Sequence, residues 1–259
     1  MLRAVWSAKW YILLGLLAFS LITLATTPVH FVWRYVESAA KGLPFQIAQP
    51  TGTLWNGRVT LSTPGSGAID TRWTLSPVAL ATGNVSLGLN ADGENVRFEG
   101  AADVGGLFSG RPQHVVLTDI EGYVDSSVLR PFLMQAKTTL TGQFELSGLN
   151  ADLSVADMKI NDASGRLLYS GGQVNARVQR QTIATELPVL VADIDMQGER
   201  LVVPVKTADG DPLGEAFMQQ DGWGGVTVLR RAVDIAGQQW PDKEATPDTV
   251  IFEVSQKFL

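Results

Sequence analysis

Residues 138–148 read "TTLTGQFELSG". Leu140, Gly142, Phe144 and Leu146 alternate with Thr141, Gln143, Glu145 and Ser147. Successive side chains of a β-strand point to opposite faces, so this period of two predicts a strand with one small or apolar face and one polar face. That is the pattern of an antiparallel sheet with one solvated side. The same alternation runs through "TRWTL" (71–75), "NVSLGLN" (84–90) and "GQVNARVQR" (172–180). Clusters of turn formers separate the runs: Thr63-Pro64-Gly65-Ser66-Gly67, Asn90-Ala91-Asp92-Gly93 and Asp209-Gly210-Asp211-Pro212. "TVIFEVSQKF" (249–258) and "GVTVLRR" (225–231) close the chain as strands.

Two stretches depart from the pattern. "DSSVLRPFLMQ" (125–135) predicts a helical turn before Pro131, and "DPLGEAFMQQDGW" (211–223) a short helix after Pro212. An internal echo links "TGNVSLGLNAD" (82–92) with "TGQFELSGLNAD" (141–152), one residue longer, and suggests a duplicated strand-turn module. Repetition of such modules builds a long meander, for which an amphipathic trough or half-barrel is one available geometry.

The N-terminus has a different period. "YILLGLLAFSLITLATT", Tyr11 to Thr27, is uncharged and, at about 1.5 Å rise per residue, reaches the short end of a membrane span. Leu14, Leu17, Leu21 and Leu24 supply its apolar surface, and Trp10 and Tyr11 sit where an interfacial aromatic belt would lie. The run exceeds the about 7–15 residues of a signal-peptide core, and no small-residue cleavage site follows it. The expectation is an uncleaved anchor. Beyond Pro28, Val29, Val32, Trp33, Val36 and Ala40 follow helical spacing until Gly42 and Pro44. This predicts a short amphipathic helix lying on lipid or on the domain below it. The expected organisation is a cytoplasmic tail (1–10), a transmembrane helix (11–27), a juxtamembrane helix (28–43) and a β domain (44–259).

Composition restricts the function. Of 259 residues 45% are apolar, 18% are charged, and the net charge is −6 with both signs dispersed. A nucleic-acid binder needs a concentrated basic face to neutralise phosphates, and none is present. The chain has no cysteine, which excludes disulfides, thiolate metal sites and thiol nucleophiles. Its two histidines, His30 and His114, lack partners at metal-ligand spacing, and no nucleophile elbow or phosphate loop occurs. Asp193 and Asp195 share a strand face and form a possible acidic pair, more simply read as a solvated edge. Asp209-Gly210-Asp211 reads as a turn rather than a calcium loop. No catalytic, cofactor-binding or metal-binding residue is expected.

"GTLWNGR" (52–58) contains an Asn-Gly pair that would suit a hairpin turn. The parity of Trp55, Val59 and Leu61 argues instead for one strand through 53–62. Gly57 would then be a bulge or a gap filled by a neighbouring aromatic ring.

The chain resembles the type II secretion system protein N family. The residues that carry the resemblance are the N-terminal anchor, "GTLWNGR" (52–58), "WTLSPVALATG" (73–83), "LTGQFELSG" (140–148) and "LRRAVDIAGQQW" (229–240). Gly52, Thr53, Leu54, Trp55, Gly57, Arg58, Trp73, Leu75 and Pro77 form the core of these motifs. The resemblance implies a non-enzymatic, single-pass inner-membrane protein with its bulk in the periplasm. Such a protein would act as an accessory or assembly part in the export of folded proteins across the outer membrane, in contact with other inner-membrane secretion subunits. It implies no cofactor. Repeated amphipathic strands after one membrane helix are also typical of AsmA-like envelope proteins, so lipid binding along an apolar groove is the alternative. The expected fold is mainly β: a transmembrane helix, then a single antiparallel, curved, amphipathic sheet with one or two short helices.

Overall fold

Beyond residue 44 the period-two pattern becomes sheet almost throughout, as seen in a computed structural model of the chain. It describes residues 14–16, 18–20, 22, 23, 25–31, 33, 46–48, 50–63, 67–135, 138–178, 181–238, 240–242 and 244–257. Trp10, Tyr11, Leu17, Leu21, Leu24, the tail and most of the juxtamembrane segment lie outside these residues. The described residues between 14 and 25 are helical, and no helix among the described residues is long and apolar enough to cross a membrane.

The strands in chain order are β1 (Gln46–Ile47), β2 (Thr51–Gly52), β3 (Asn56–Thr63), β4 (Gly67–Leu75), β5 (Val85–Gly93), β6 (Val96–Gly105), β7 (His114–Asp125), β8 (Thr138–Leu140) and β9 (Gln143–Ser154). They continue as β10 (Lys159–Tyr169), β11 (Gly172–Val178), β12 (Gln181–Leu187), β13 (Leu190–Gln197), β14 (Arg200–Thr207), β15 (Pro212–Gln219), β16 (Trp223–Leu229) and β17 (Val250–Lys257). Three short helices, α1 (Pro77–Ala81), α2 (Ser126–Gln135) and α3 (Arg230–Ile235), lie at strand ends.

Fourteen strands form one antiparallel sheet in the order β1-β3-β4-β5-β6-β7-β9-β10-β13-β14-β15-β16-β17, with β2 also paired to β3. It is not a closed barrel: among the described residues β17 has no strand partner on its outer side. Directly paired residues share a face. One row therefore crosses twelve strands as Val59, Thr71, Ala91, Phe98, Gly122, Leu146, Leu167, Ala192, Val205, Gly214, Val228 and Phe252. All but Thr71 are apolar or glycine, so the alternation in each strand adds up to one apolar face. The opposite face holds the cross-strand ion pairs, with an apolar strip around Val202 and Phe217.

The expected single sheet needs a correction. β8, β11 and β12 form a separate three-stranded sheet in the order β12-β11-β8. These are β9, β10 and β13 continued past a corner, in the same lateral order. The corner forms at Gly142 (φ 109°), Gly171 (φ 81°) and Pro188, where side chains of L-residues would be strained or a ladder donor is lacking. Tyr169 anchors it: its hydroxyl donates to the Thr141 carbonyl (2.6 Å) and its ring stacks on Phe144 (4.9 Å). Burial raises the Tyr169 pKa, which keeps the phenol protonated as a donor.

Four local expectations also change. The 53–62 strand is broken: the chain turns at Thr53–Asn56 and β3 starts at Asn56. Residues 211–223 form no helix, because Pro212–Gln219 is a strand paired on both sides by β14 and β16. The cross-strand ladder outweighs local propensity there. The predicted turn at 90–93 is instead the end of β5, with the reversal at Glu94-Asn95. The helical turn before Pro131 extends to ten residues and continues through it.

The echo of 82–92 in 141–152 is a shared strand pattern. Leu89 and Ala91 in β5, like Leu149 and Ala151 in β9, face the apolar side, and the Asn before and the Asp after each Ala face the polar side. The extra residue of the second copy is absorbed by a bulge at Gly148 (φ 56°), between the pairs Ser147↔Arg166 and Asn150↔Ser164. The bulge preserves the facing that a simple insertion would reverse.

Candidate functional site

The motif residues meet at one end of the sheet. In the turn at Thr53–Asn56 the Thr53 N–H donates to the Asn56 carbonyl (2.9 Å), and the Asn56 N–H donates to the Thr53 hydroxyl (3.1 Å). Gly52 stands opposite Gly57, and its φ of 98° lets the chain enter the turn. Trp55, within this turn, is buried at 7% exposure.

The two sequence blocks interlock. The Trp73 indole N–H donates to the Leu54 carbonyl (3.1 Å), and the Leu75 N–H donates to the Trp55 carbonyl (2.6 Å). Trp73 lies across Gly57, its register partner in β3: a Cβ at Gly57 would stand 2.0 Å from the ring. Arg58 and Arg72 share Asp70 on the other face, at 3.5 and 3.6 Å. Pro77 occupies the first turn of α1, where its missing N–H costs no helix bond, and Ser76 caps that helix by accepting from the Ala79 N–H (3.3 Å).

The same turn receives the N-terminal segment. The Leu54 N–H donates to the Thr27 carbonyl (2.9 Å), Pro28 bridges Thr53, and Val29 is buried. The heptapeptide is thus a joint between the helix ending near Thr26 and the first long strands. Sequence reasoning missed this role, because it is carried by backbone groups of Leu54 that no residue type announces.

The apolar face forms a second feature. Met158, Ile160, Met196, Leu201 and Met218 line an apolar cleft at the end of β10, β13, β14 and β15, together with Glu199, Gln219 and Gln220. Leu89, Val226, Val254 and Phe252 on this face are exposed. Three methionines far apart in sequence carry no local signal. The registry of four strands brings them together, and their flexible thioethers suit an adaptable apolar surface.

The polar face is a set of cross-strand pairs. Arg166 donates to Asp193 (2.8 Å), with Lys206 3.6 Å from the same carboxylate; Arg97 pairs with Asp92 (2.9 Å) and Arg200 with Glu215 (2.8 Å). The hydrogen bond from Arg166 is the main cause holding the Asp193 carboxyl below the usual range. Asp193 lies in mid-sheet with two cations, so the reading of Asp193 and Asp195 as a solvated edge is corrected. Arg200 also covers the Phe217 ring at 4.1 Å. His114 Nδ1 lies 3.4 Å from Asp152, and Asp211 is 3.5 Å from Arg231 at the end of the β14–β15 turn. Among the described residues no group of three His, Cys, Asp or Glu is arranged to hold a metal ion.

No curated protein and no solved structure matches the chain. The family described as type II secretion system (T2SS), protein N matches residues 44–223. The match runs from just before β1 to the start of β16 and covers the GTLWNGR turn, the Trp73 block and the Met-lined cleft, while residues 229–240 lie beyond it. Spanning more than two thirds of the sequence, it shows that the chain belongs to the type II secretion system protein N family.

Proposed function

We propose that this chain is a non-enzymatic, single-pass inner-membrane component of the type II secretion system, with its sheet in the periplasm. In this reading it has an accessory or assembly role in the export of folded proteins, and its partners are other inner-membrane secretion subunits. The family match over 44–223 carries the proposal. Supporting it, the helical residues Leu14, Leu16, Phe19 and Ile22 expose 62–67% of their surface, as side chains in contact with lipid would. The joint at 52–58 then ties the anchor's exit to the first strands. Crosslinking and copurification from a host that has the machine should recover its inner-membrane proteins; recovery of none would overturn the reading. Protease added to spheroplasts should degrade the sheet, and protection of the sheet would refute the periplasmic placement.

The exposed Leu89, Val226, Phe252 and Val254 on the apolar face support a second reading, binding or transfer of lipid along the sheet. The Met158–Met196–Met218 cleft is the observation that favours it. Protein purified from membranes should carry phospholipid acyl chains detectable by mass spectrometry, and Leu201→Arg should remove most of them. A lipid-free preparation of the parent protein would eliminate this reading.

A further inference from the structure

We propose that two copies of this chain pair edge to edge through β17, continuing the sheet across a two-fold axis. The two edges of the large sheet differ. On one side β3 is capped by the two-residue strands β1 and β2, and the Ala48 N–H donates to the Thr60 carbonyl. On the other side β17 is eight residues long, and all of them except Ile251 are exposed. Among the described residues no strand pairs with the outer side of β17, so its alternate residues turn N–H and C=O groups outward, a template for another strand. Past the bulge at Ile251 the stretch 252–256 contains no proline and one charge, Glu253. Val254 and Phe252 are 46% and 56% exposed on the apolar face, beside Val226 and Val228.

The occupant that fits is a second copy. An antiparallel pair centred on Ser255 sets Glu253 opposite Lys257 of the other copy, twice by symmetry. A register centred on Glu253 would oppose two carboxylates. One centred on Val254 would leave Glu253 facing serine and Lys257 facing Ile251. Registers shifted by one residue would turn the apolar face of one copy to the opposite side. The Ser255 register keeps both apolar faces on one side and places the two Val254 side chains in diagonal contact. Because the β1–β2 edge is short and already occupied, pairing closes as an isologous dimer rather than a filament.

The chain has no cysteine, so one introduced thiol reports the register. In the full chain in isolated membranes under mild oxidation, Ser255→Cys should give a disulfide dimer as the main product. Paired Cα atoms lie within the span that a disulfide bridges. Ser147→Cys, exposed in the middle of the polar face, should give at least tenfold less. Glu253→Cys and Lys257→Cys should crosslink when coexpressed and not alone, since like positions would stand about 13 Å apart at about 3.3 Å per residue. In detergent, light scattering should give a dimer mass. Glu253→Lys should shift it to monomer, and Glu253→Lys with Lys257→Glu should restore it. A Ser255→Cys yield no higher than that of Ser147→Cys, a monomer mass for the parent, or crosslinking of residue 255 to a different protein would overturn the proposal.

Discussion

Gly57→Ala tests whether the family motif is a packing joint. The backbone at Gly57 lies outside the left-handed region, so alanine is allowed by φ and the substitution reads steric room alone. The new Cβ would stand 2.0 Å from the Trp73 ring, whereas carbon atoms settle at about 3.5–4.0 Å. The indole must therefore move by about 1.5 Å or more. That motion breaks its 3.1 Å hydrogen bond to Leu54, a net loss of about 1 kcal/mol, and overpacking adds about 1–3 kcal/mol. The expected destabilisation is about 2–4 kcal/mol, read by urea unfolding with tryptophan fluorescence. In a Trp73→Ala background the obstruction is gone. Alanine should then be neutral or stabilising by up to about 1 kcal/mol, because glycine inside a strand loses more entropy on folding. Equal costs in both backgrounds would refute the reasoning.

Three further outcomes follow, two from the corner and one from the polar face. Tyr169→Phe should cost about 1–2 kcal/mol in the same unfolding assay, because it leaves the Thr141 carbonyl without its donor; an unchanged midpoint would contradict the corner's role. Asp193→Asn should cost less than about 1 kcal/mol at pH 7, since the pair with Arg166 is partly exposed. The folded carboxyl titrates below its unfolded value, so this contribution is present above the unfolded pKa and disappears as pH falls through the folded one. The parent and variant curves should therefore converge on acidification, and divergence would refute the assignment. Gly171→Ala meets the Leu187 carbonyl at 2.9 Å with a φ of 81°, so it should destabilise by about 1–3 kcal/mol; amide exchange should rise first in 172–187, and uniform protection would argue against a separate corner unit.

The joint at 52–58 links local sequence to the mechanics of the molecule. The N-terminal helix must be coupled to the sheet if the two are to move together. Here the coupling consists of the Thr27–Leu54 hydrogen bond, the Pro28–Thr53 bridge and buried Val29. Trp73 then fixes the turn to β4. This arrangement explains why the Gly-Thr-Leu-Trp and Trp-x-Leu blocks occur in one sequence: each satisfies backbone groups of the other.

Period-two alternation alone determined the strands, their two faces and the antiparallel class, because facing along a strand depends only on parity. The resemblance to the family rested instead on the contiguous motif blocks, which can be read without the alternation. The alternation failed where a non-local partner decided the outcome. Trp55 had the right parity for a continuous strand, yet the hydrogen bonds from Leu54 to Thr27 and from Trp73 and Leu75 to the turn reward a reversal that no neighbour in sequence could predict. Residues 212–219 looked helical until β14 and β16 supplied a ladder on both sides. The Met-lined cleft, the corner at Gly142 and Gly171, and the β17 edge that no described strand covers exist only in the assembled sheet. Each depends on which strands lie side by side, and pairing between distant segments is set by the whole ladder rather than by any window of sequence.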